Sequence, residues 1–321
     1  MQNKLDKYFK LTIKHNENHK RCFIYDPQEC KAFFANVPLV SDKYITTKSK
    51  IKLYYRQPTN IISVPDFPII QSNASVPLLK SNLQKAIRRQ KSDIAISSAL
   101  AIIQKDQIEF LRRLPIIYIE DVCLTDSYPI SVWLMMVGQD YTLTNLDIFI
   151  LLKIVNDLCL INNYYDDKLS HHEDKKVFTI SHEYLENHMI ANQLLALYYR
   201  SEYGGMKGDM LMLRNAIYYY YNFPTDMLTT NFNYEIIQNI NNSCEILYEA
   251  IDFHPFPHII TSLVKQTGLN YEEIKMCIWF AESGVNIRKP ETLEASKIYL
   301  EGQIWQQIKY KLKLIRFHLL Q

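Results

Sequence analysis

Leu79-Lys80-Ser81-Asn82-Leu83-Gln84-Lys85-Ala86-Ile87-Arg88-Arg89 and, a little further on, Ile94-Ala95-Ile96-Ser97-Ser98-Ala99-Leu100-Ala101-Ile102-Ile103 set the fold class of this chain. In the first stretch apolar residues recur three and four apart at Leu79, Leu83, Ala86 and Ile87. In the second they recur at Ile94, Ile96, Ala99, Leu100 and Ile103. That is the period of a helix with one buried face. The same period predicts further helices at about 107–123, 129–137, 144–162, 181–201, 206–221, 233–250, 270–282 and 291–316. Pro115, inside Phe110-Leu111-Arg112-Arg113-Leu114-Pro115-Ile116-Ile117, marks either a kink or the meeting of two helices, because proline cannot donate to the preceding turn. The expected fold is therefore mainly α, a helical bundle or a layered array of helices.

Upstream of Leu78 the pattern changes. Cys22-Phe23-Ile24-Tyr25, Ile51-Lys52-Leu53-Tyr54-Tyr55 and Asn60-Ile61-Ile62-Ser63-Val64 are short β-favouring runs. Pro27, Pro38, Pro58, Pro65, Pro68 and Pro77 punctuate them. Three parts are expected: a free tail over residues 1–12, a small strand-containing subdomain over 13–77, and a helical domain over 78–321. The charged segment around 163–180, including Tyr164-Tyr165-Asp166-Asp167 and His171-His172-Glu173-Asp174, is the expected sub-boundary.

Composition narrows the class. The 321 residues are 48% hydrophobic and 22% charged, as in folded proteins, and carry a net charge of +2. A nucleic-acid surface would have to be a local patch. Six cysteines without CxxC spacing read as reduced core thiols of an intracellular protein of the cytosol or nucleus. Neither a leader-like apolar run nor a membrane-length segment is present, so no membrane partner is expected. Seven glycines against 23 tyrosines suit an AT-rich genome such as that of a large DNA virus of eukaryotes.

Met1-Gln2-Asn3-Lys4-Leu5-Asp6-Lys7-Tyr8-Phe9 fits Gln-x-x-aliphatic-x-x-aromatic-aromatic and resembles the PIP box, the peptide by which replication and repair proteins hold a PCNA-type sliding clamp. One 3₁₀ turn eclipses positions three apart, so Leu5 and Tyr8 would form an apolar plug with Phe9, while Gln2 fills a polar pocket. Burying the plug is worth roughly 5–8 kcal/mol, against roughly 2–5 kcal/mol to order a tail. The competing reading is an N-terminal amphipathic helix docked on the chain's own core.

A second likeness covers Leu83-Gln84-Lys85-Ala86-Ile87-Arg88-Arg89, Asp93-Ile94-Ala95, Phe110-Leu111-Arg112-Arg113 and Ile119-Glu120-Asp121-Val122. These resemble the helical region behind the motor in replication-associated recombination ATPases, the Werner-helicase-interacting and clamp-loader-like AAA+ family. The resemblance implies a clamp-loader-collar-like helical module and a homo-oligomer. Arg89 and Cys123 replace two family glycines, and GxxxxGK[ST] is absent, so the motor is not expected.

Arg88, Arg89, Lys91, Arg112 and Arg113 could form a phosphate-binding face, or Arg112 and Arg113 could pair with Glu120 and Asp121. Lys207, in Tyr203-Gly204-Gly205-Met206-Lys207-Gly208-Asp209, could flank an anion at a helix start, or Asp209 could simply cap that helix. Arg288 and Lys289 form a further basic pair. Lys309, Lys311, Lys313 and Arg316 lie on a C-terminal helix that either touches DNA or is a core helix with solvated lysines. His15, His19, Cys22 and Cys30 match no zinc-finger spacing, and His182-Glu183 with Glu186 and His188 is not HExxH, so neither metal nor cofactor is expected. The functional expectation is a non-catalytic replication or repair accessory protein, clamp-tethered, with DNA or another replication protein on its body. The rivals are a clamp-delivered Mg²⁺-dependent nuclease using Glu120, Asp121, Asp126, Asp166 and Asp167, and an oligomeric structural component.

Overall fold

The computed structural model describes residues 21–45, 51–60, 62–165, 185–223, 240–252 and 257–320. The tail residues Gln2, Leu5, Tyr8 and Phe9, His15 and His19, and Asp166, Asp167, His171–Asp174, His182 and Glu183 lie outside them. Four strands come first: β1 (Cys22–Asp26), β2 (Lys31–Ala35), β3 (Lys43–Ile45) and β4 (Lys52–Tyr55). The helices α1 (Val76–Arg88), α2 (Ser92–Asp121), α3 (Tyr128–Val137) and α4 (Asn145–Leu160) follow. Then come α5 (Ala191–Glu202), α6 (Lys207–Asn222), α7 (Tyr248–Ile251), α8 (His258–Thr267), α9 (Tyr271–Ile278), α10 (Pro290–Glu301) and α11 (Gln303–Leu320). The chain is mainly helical with a small N-terminal sheet, and no described helix is long and apolar enough to cross a membrane.

Two compact units divide the chain, and they do not follow its order. Of the described residues, the first holds those within 21–64, 114–150, 165 and 185–223; the second holds those within 65–113, 151–164 and 240–320. The strands thus share a unit with helices from the middle of the chain instead of standing apart over 13–77, and the helical span 78–321 is shared between both units.

In the first unit the sheet order is β2-β1-β4-β3, with β1 antiparallel to β2 and parallel to β4. All five residues of β1 are buried, as expected of a central strand covered on both faces. Phe23 stacks on Phe34 at 4.1 Å, and the Trp133 indole of α3 donates to the Phe23 carbonyl at 3.0 Å. The Asn192 side chain of α5 accepts the Phe34 amide at 3.0 Å, tying edge strand β2 to a helix.

The polar centre of this unit is Asp147, wholly buried in the first turn of α4. One carboxylate oxygen accepts the Thr144 amide (2.8 Å), the Thr144 hydroxyl (2.7 Å) and the Tyr141 hydroxyl (2.7 Å); the other accepts the Tyr25 hydroxyl of β1 (2.8 Å). The Asp147 amide reaches back to the Thr144 hydroxyl at 3.2 Å, which completes a reciprocal cap of the helix start. Burial and the Asp147 charge push the Tyr25 and Tyr141 hydroxyls far above the ordinary tyrosine range, so both remain neutral donors.

The second unit begins at α1, where the Ser75 side chain accepts the Leu78 amide and Pro77 occupies the first turn. Buried Asn82 donates to Ser98 of α2 (2.9 Å) and to the Glu245 carbonyl (2.8 Å), and accepts the Leu247 amide (2.8 Å). One amide therefore joins α2 and the approach to α7 to α1. In α2 the helical path breaks at Asp106 (φ −160°, ψ 89°), whose carboxylate accepts the Ile108 and Glu109 amides at 3.1 Å each. The break falls there and not at Pro115, through which the helix continues. Helix α9 runs into a wider π turn over Trp279–Ser283, and Gly284 closes it: a Cβ there would meet Trp279 Cε2 at 2.5 Å. The predicted C-terminal helix is two, α10 and α11, parted at Gly302. The stretch predicted helical at 233–250 is non-helical from 240 to 247 and helical at α7, with 233–239 outside the described residues.

Replacing Asp147 with Ala should destabilise the protein by at least about 3 kcal/mol, because three hydroxyls and an amide lose a charged acceptor. Tyr141→Phe should cost about 1 kcal/mol. Urea unfolding of both variants checks the ranking.

Candidate functional site

The basic residues singled out in the sequence separate into an inner and an outer set. Arg288, only 7% exposed, lies in the loop between the π turn and α10. Its Nε donates to the Ile161 carbonyl at 2.6 Å and its Nη1 to the Ile87 carbonyl at 2.7 Å. Its Nη2 donates to the carbonyls of Leu158 and, at 3.3 Å, Cys159. Those oxygens belong to the last turns of α1 and α4 and the residue just after α4, where helical carbonyls have no intrahelical partner. One guanidinium thus caps the C-terminal ends of two helices, and its charge complements the negative end of each dipole.

Gln90 works beside it. This residue ends α1 at φ 54°, a left-handed conformation that is unfavourable for a side-chain-bearing residue, while the Lys91 amide bonds back to Ala86 O at 2.9 Å. The Gln90 amide nitrogen donates to the Ile161 carbonyl (3.2 Å) and the Asn162 side chain (2.9 Å), which holds the turn in place.

Arg88 and Arg89 point into the same unit. Arg88, 4% exposed, donates to the Ser283 carbonyl at 3.3 Å with its guanidinium 5.6 Å from the Trp279 ring centre. Its own carbonyl accepts the Ile287 amide at 3.1 Å. Arg89 donates to the carbonyls of Glu282 and, at 3.4 Å, Val285, and pairs with Glu249 at 3.2 Å. Burial lowers the Arg89 pKa. The expectation of Arg88, Arg89, Arg112 and Arg113 on one exposed surface is corrected here: main-chain carbonyls of the protein's own interior hold Arg88, Arg89 and Arg288. Arg113 donates to the Gln84 side chain.

The outer set is Lys91, Arg112 and Lys207, all exposed, with Arg112 3.9 Å from Glu109. Lys289 lies 5.7 Å from the centre of the Tyr164 ring. Lys207 opens α6 after Gly204 and Gly205, whose φ values of 96° and 148° let the chain turn over Arg200. Arg200 donates to the Gly204 carbonyl at 3.1 Å. Asp209 sits in the first turn of α6; the capping position itself falls on Met206.

An ion cluster not foreseen from the sequence lies in the same unit as Arg288. Buried Arg316 of α11 holds the Asp252 carboxylate through both Nε (3.1 Å) and Nη2, and reaches Glu282 at 2.6 Å. Burial raises the pKa of both acids, while the guanidinium they share pulls them back down. Its signal was available: Arg316 follows Trp305, Ile308 and Leu312 on the buried stripe of α11, so the arginine falls where an apolar residue is expected.

Other expectations find ordinary places. Cys22 and Cys30 are buried, with the Cys30 thiol 3.6 Å from the Pro27 carbonyl, and His188 contacts the Tyr221 carbonyl at 3.1 Å. Among the described residues no three His, Cys, Asp or Glu side chains group to hold a metal, so Glu120, Asp121 and Asp126 form no such group.

Arg288→Met should destabilise the fold by several kcal/mol, roughly 3–5, since it leaves buried carbonyls without donors. Arg112→Ala should stay within about 0.5 kcal/mol of the parent. Denaturant midpoints compare them. Burial also pushes the Cys159 thiol up to about 12 despite nearby Arg288, and the Cys277 thiol up to about 11. A folded-state pKa above the unfolded one contributes stability that is complete below the unfolded pKa, 9.0 for Cys159, and is lost as pH rises toward the folded value. Urea midpoints should therefore fall above about pH 9, and Cys159→Ala should flatten that fall.

The chain matches no family model, no curated protein and no solved structure.

Proposed function

We propose that this chain is a non-catalytic accessory protein of DNA replication or repair, held on a PCNA-type sliding clamp by Gln2, Leu5, Tyr8 and Phe9, with its body contacting DNA or another replication protein. The observation that carries the reading is the spacing of those four residues, with Lys4, Lys7, Lys10 and Lys14 around them suited to an acidic clamp surface. The body supports a binding role through the cations that face outward. Lys91 and Arg112 of the second unit and Lys207 of the first are exposed, whereas Arg88, Arg89 and Arg288 serve the interior. DNA contact, on this reading, rests on the outer set.

The test is binding of the full chain to a PCNA-type clamp by calorimetry. Tyr8→Ala with Phe9→Ala should remove at least about 3 kcal/mol of binding free energy, since both rings of the plug are truncated. An affinity that the double substitution leaves unchanged refutes the assignment. The body is tested separately by salt titration of DNA binding with Lys91→Glu and Arg112→Glu. A phosphate-contact surface should lose affinity alike for all sequences and show a shallower salt slope.

A further inference from the structure

Helix α11 buries Trp305, Ile308, Leu312 and Arg316, and turns a different face outward. On that face Tyr310 is 69% exposed, Leu314 42% and Phe317 49%, at spacings of four and three residues, so they form one straight ridge. Lys309 and Lys313 stand exposed on one flank, and His318 on the other with Lys311, whose ammonium donates to the Gln266 carbonyl at 2.7 Å. No aspartate or glutamate occurs anywhere in Gln303–Leu320. Arg316 is directed inward at Asp252 and Glu282, so the outward charge is that of the lysines.

We infer that this ridge is the docking site for an acidic amphipathic helix of a partner protein, one that presents an apolar stripe flanked by carboxylates. The charge pattern decides among occupants. A second copy of the chain meeting α11 face to face would set lysine row against lysine row with no carboxylate to answer either. A single nucleic-acid strand satisfies the lysines but not the ridge. The two aromatic rings are seven residues apart, about 10 Å along the helix, too far for neighbouring bases stacked about 3.4 Å apart. Leu314 between them offers a base neither a ring nor a hydrogen bond. A lipid surface calls for an apolar face along the whole helix, whereas Gln303, Gln306 and Gln307 occupy the outward side before Tyr310. A helix with leucines three and four residues apart packs between Tyr310, Leu314 and Phe317, and glutamates beside that stripe meet the flanking lysines. The inference stands apart from the clamp reading, since it uses no residue of the N-terminal motif.

The experiment is fluorescence anisotropy on the full chain with a labelled, designed helical peptide whose leucines recur three and four residues apart and whose flanking positions are glutamate. A second peptide carries lysine at those flanks; a mixed-sequence single-stranded oligonucleotide and phosphatidylserine vesicles complete the set. The glutamate peptide should bind in about the micromolar range. The triple variant Tyr310→Ser, Leu314→Ser, Phe317→Ser should bind it at least about ten-fold more weakly. Lys309→Glu with Lys313→Glu should weaken the glutamate peptide and strengthen the lysine peptide, an exchange that loss of fold cannot mimic. The inference is overturned if the glutamate peptide does not bind by about millimolar concentration, or if the lysine peptide binds the parent equally well. It is also overturned if the serine variant abolishes oligonucleotide or vesicle binding but spares the glutamate peptide, or if it dissolves a concentration-dependent dimer seen by sedimentation.

Discussion

Helix ends cannot be buried without partners for their last carbonyls, and where α1 and α4 end in the second unit one guanidinium, with Gln90 beside it, meets that constraint. The Arg288 guanidinium takes the terminal oxygens of α1 and α4 together, at Ile87, Leu158, Cys159 and Ile161. The loop that presents it is itself closed by short-range bonds. The Asn286 side chain accepts the Arg288 amide at 3.1 Å, and the Thr292 hydroxyl both accepts the Asn286 amide and donates to its carbonyl. A planar fork with several donors suits this task, where a lysine would bring a single ammonium. Without it, the Leu158 and Cys159 carbonyls would lose their donor, while Ile87 and Ile161 would keep only their bonds from Gln90, each loss a cost comparable to a hydrogen bond.

The same logic extends to the rest of the charged interior. Arg88 and Arg89 serve the carbonyls of the π turn and the loop after it, while Arg316 gathers Asp252 and Glu282. The irregular segment from Trp279 to Lys289 carries main-chain carbonyls outside a regular helix ladder, and Arg88 and Arg89 at the end of α1 donate to those of Glu282, Ser283 and Val285. At the opposite end of α4, Asp147 closes the N-terminus with a carboxylate. Helix α4 therefore has a negative charge at its start and a positive one at its end, the arrangement its dipole favours.

This use of charge bears on function. Arginine pairs near helix ends read equally well in a sequence as phosphate ligands or as caps, because both roles need the same donors. Here the interior claims Arg88, Arg89 and Arg288, while among the described residues Lys91, Arg112, Lys207 and the lysines beside the α11 ridge face outward. Binding of an acidic partner on such a surface depends on the apolar residues beside the lysines as much as on charge, since exposed ion pairs alone contribute little.

The sequence by itself determined that the chain is mainly helical, because periodicity depends only on residues near one another. It also carried Thr144-x-x-Asp147 as a cap ahead of an apolar run, and Arg316 on an otherwise apolar stripe. Proline misled: in α2 the break lies at Asp106, whose short carboxylate can hold two amides of the next turn, while Pro115 is accommodated. What only the tertiary structure decided depends on distant partners. Tyr25 finds Asp147 across 122 residues, Arg288 finds Ile87 across 201, and the strands join helices from the middle of the chain. No local pattern specifies which carbonyls are left over when α1 and α4 end in one core. That is why the destination of each arginine became visible only with the fold.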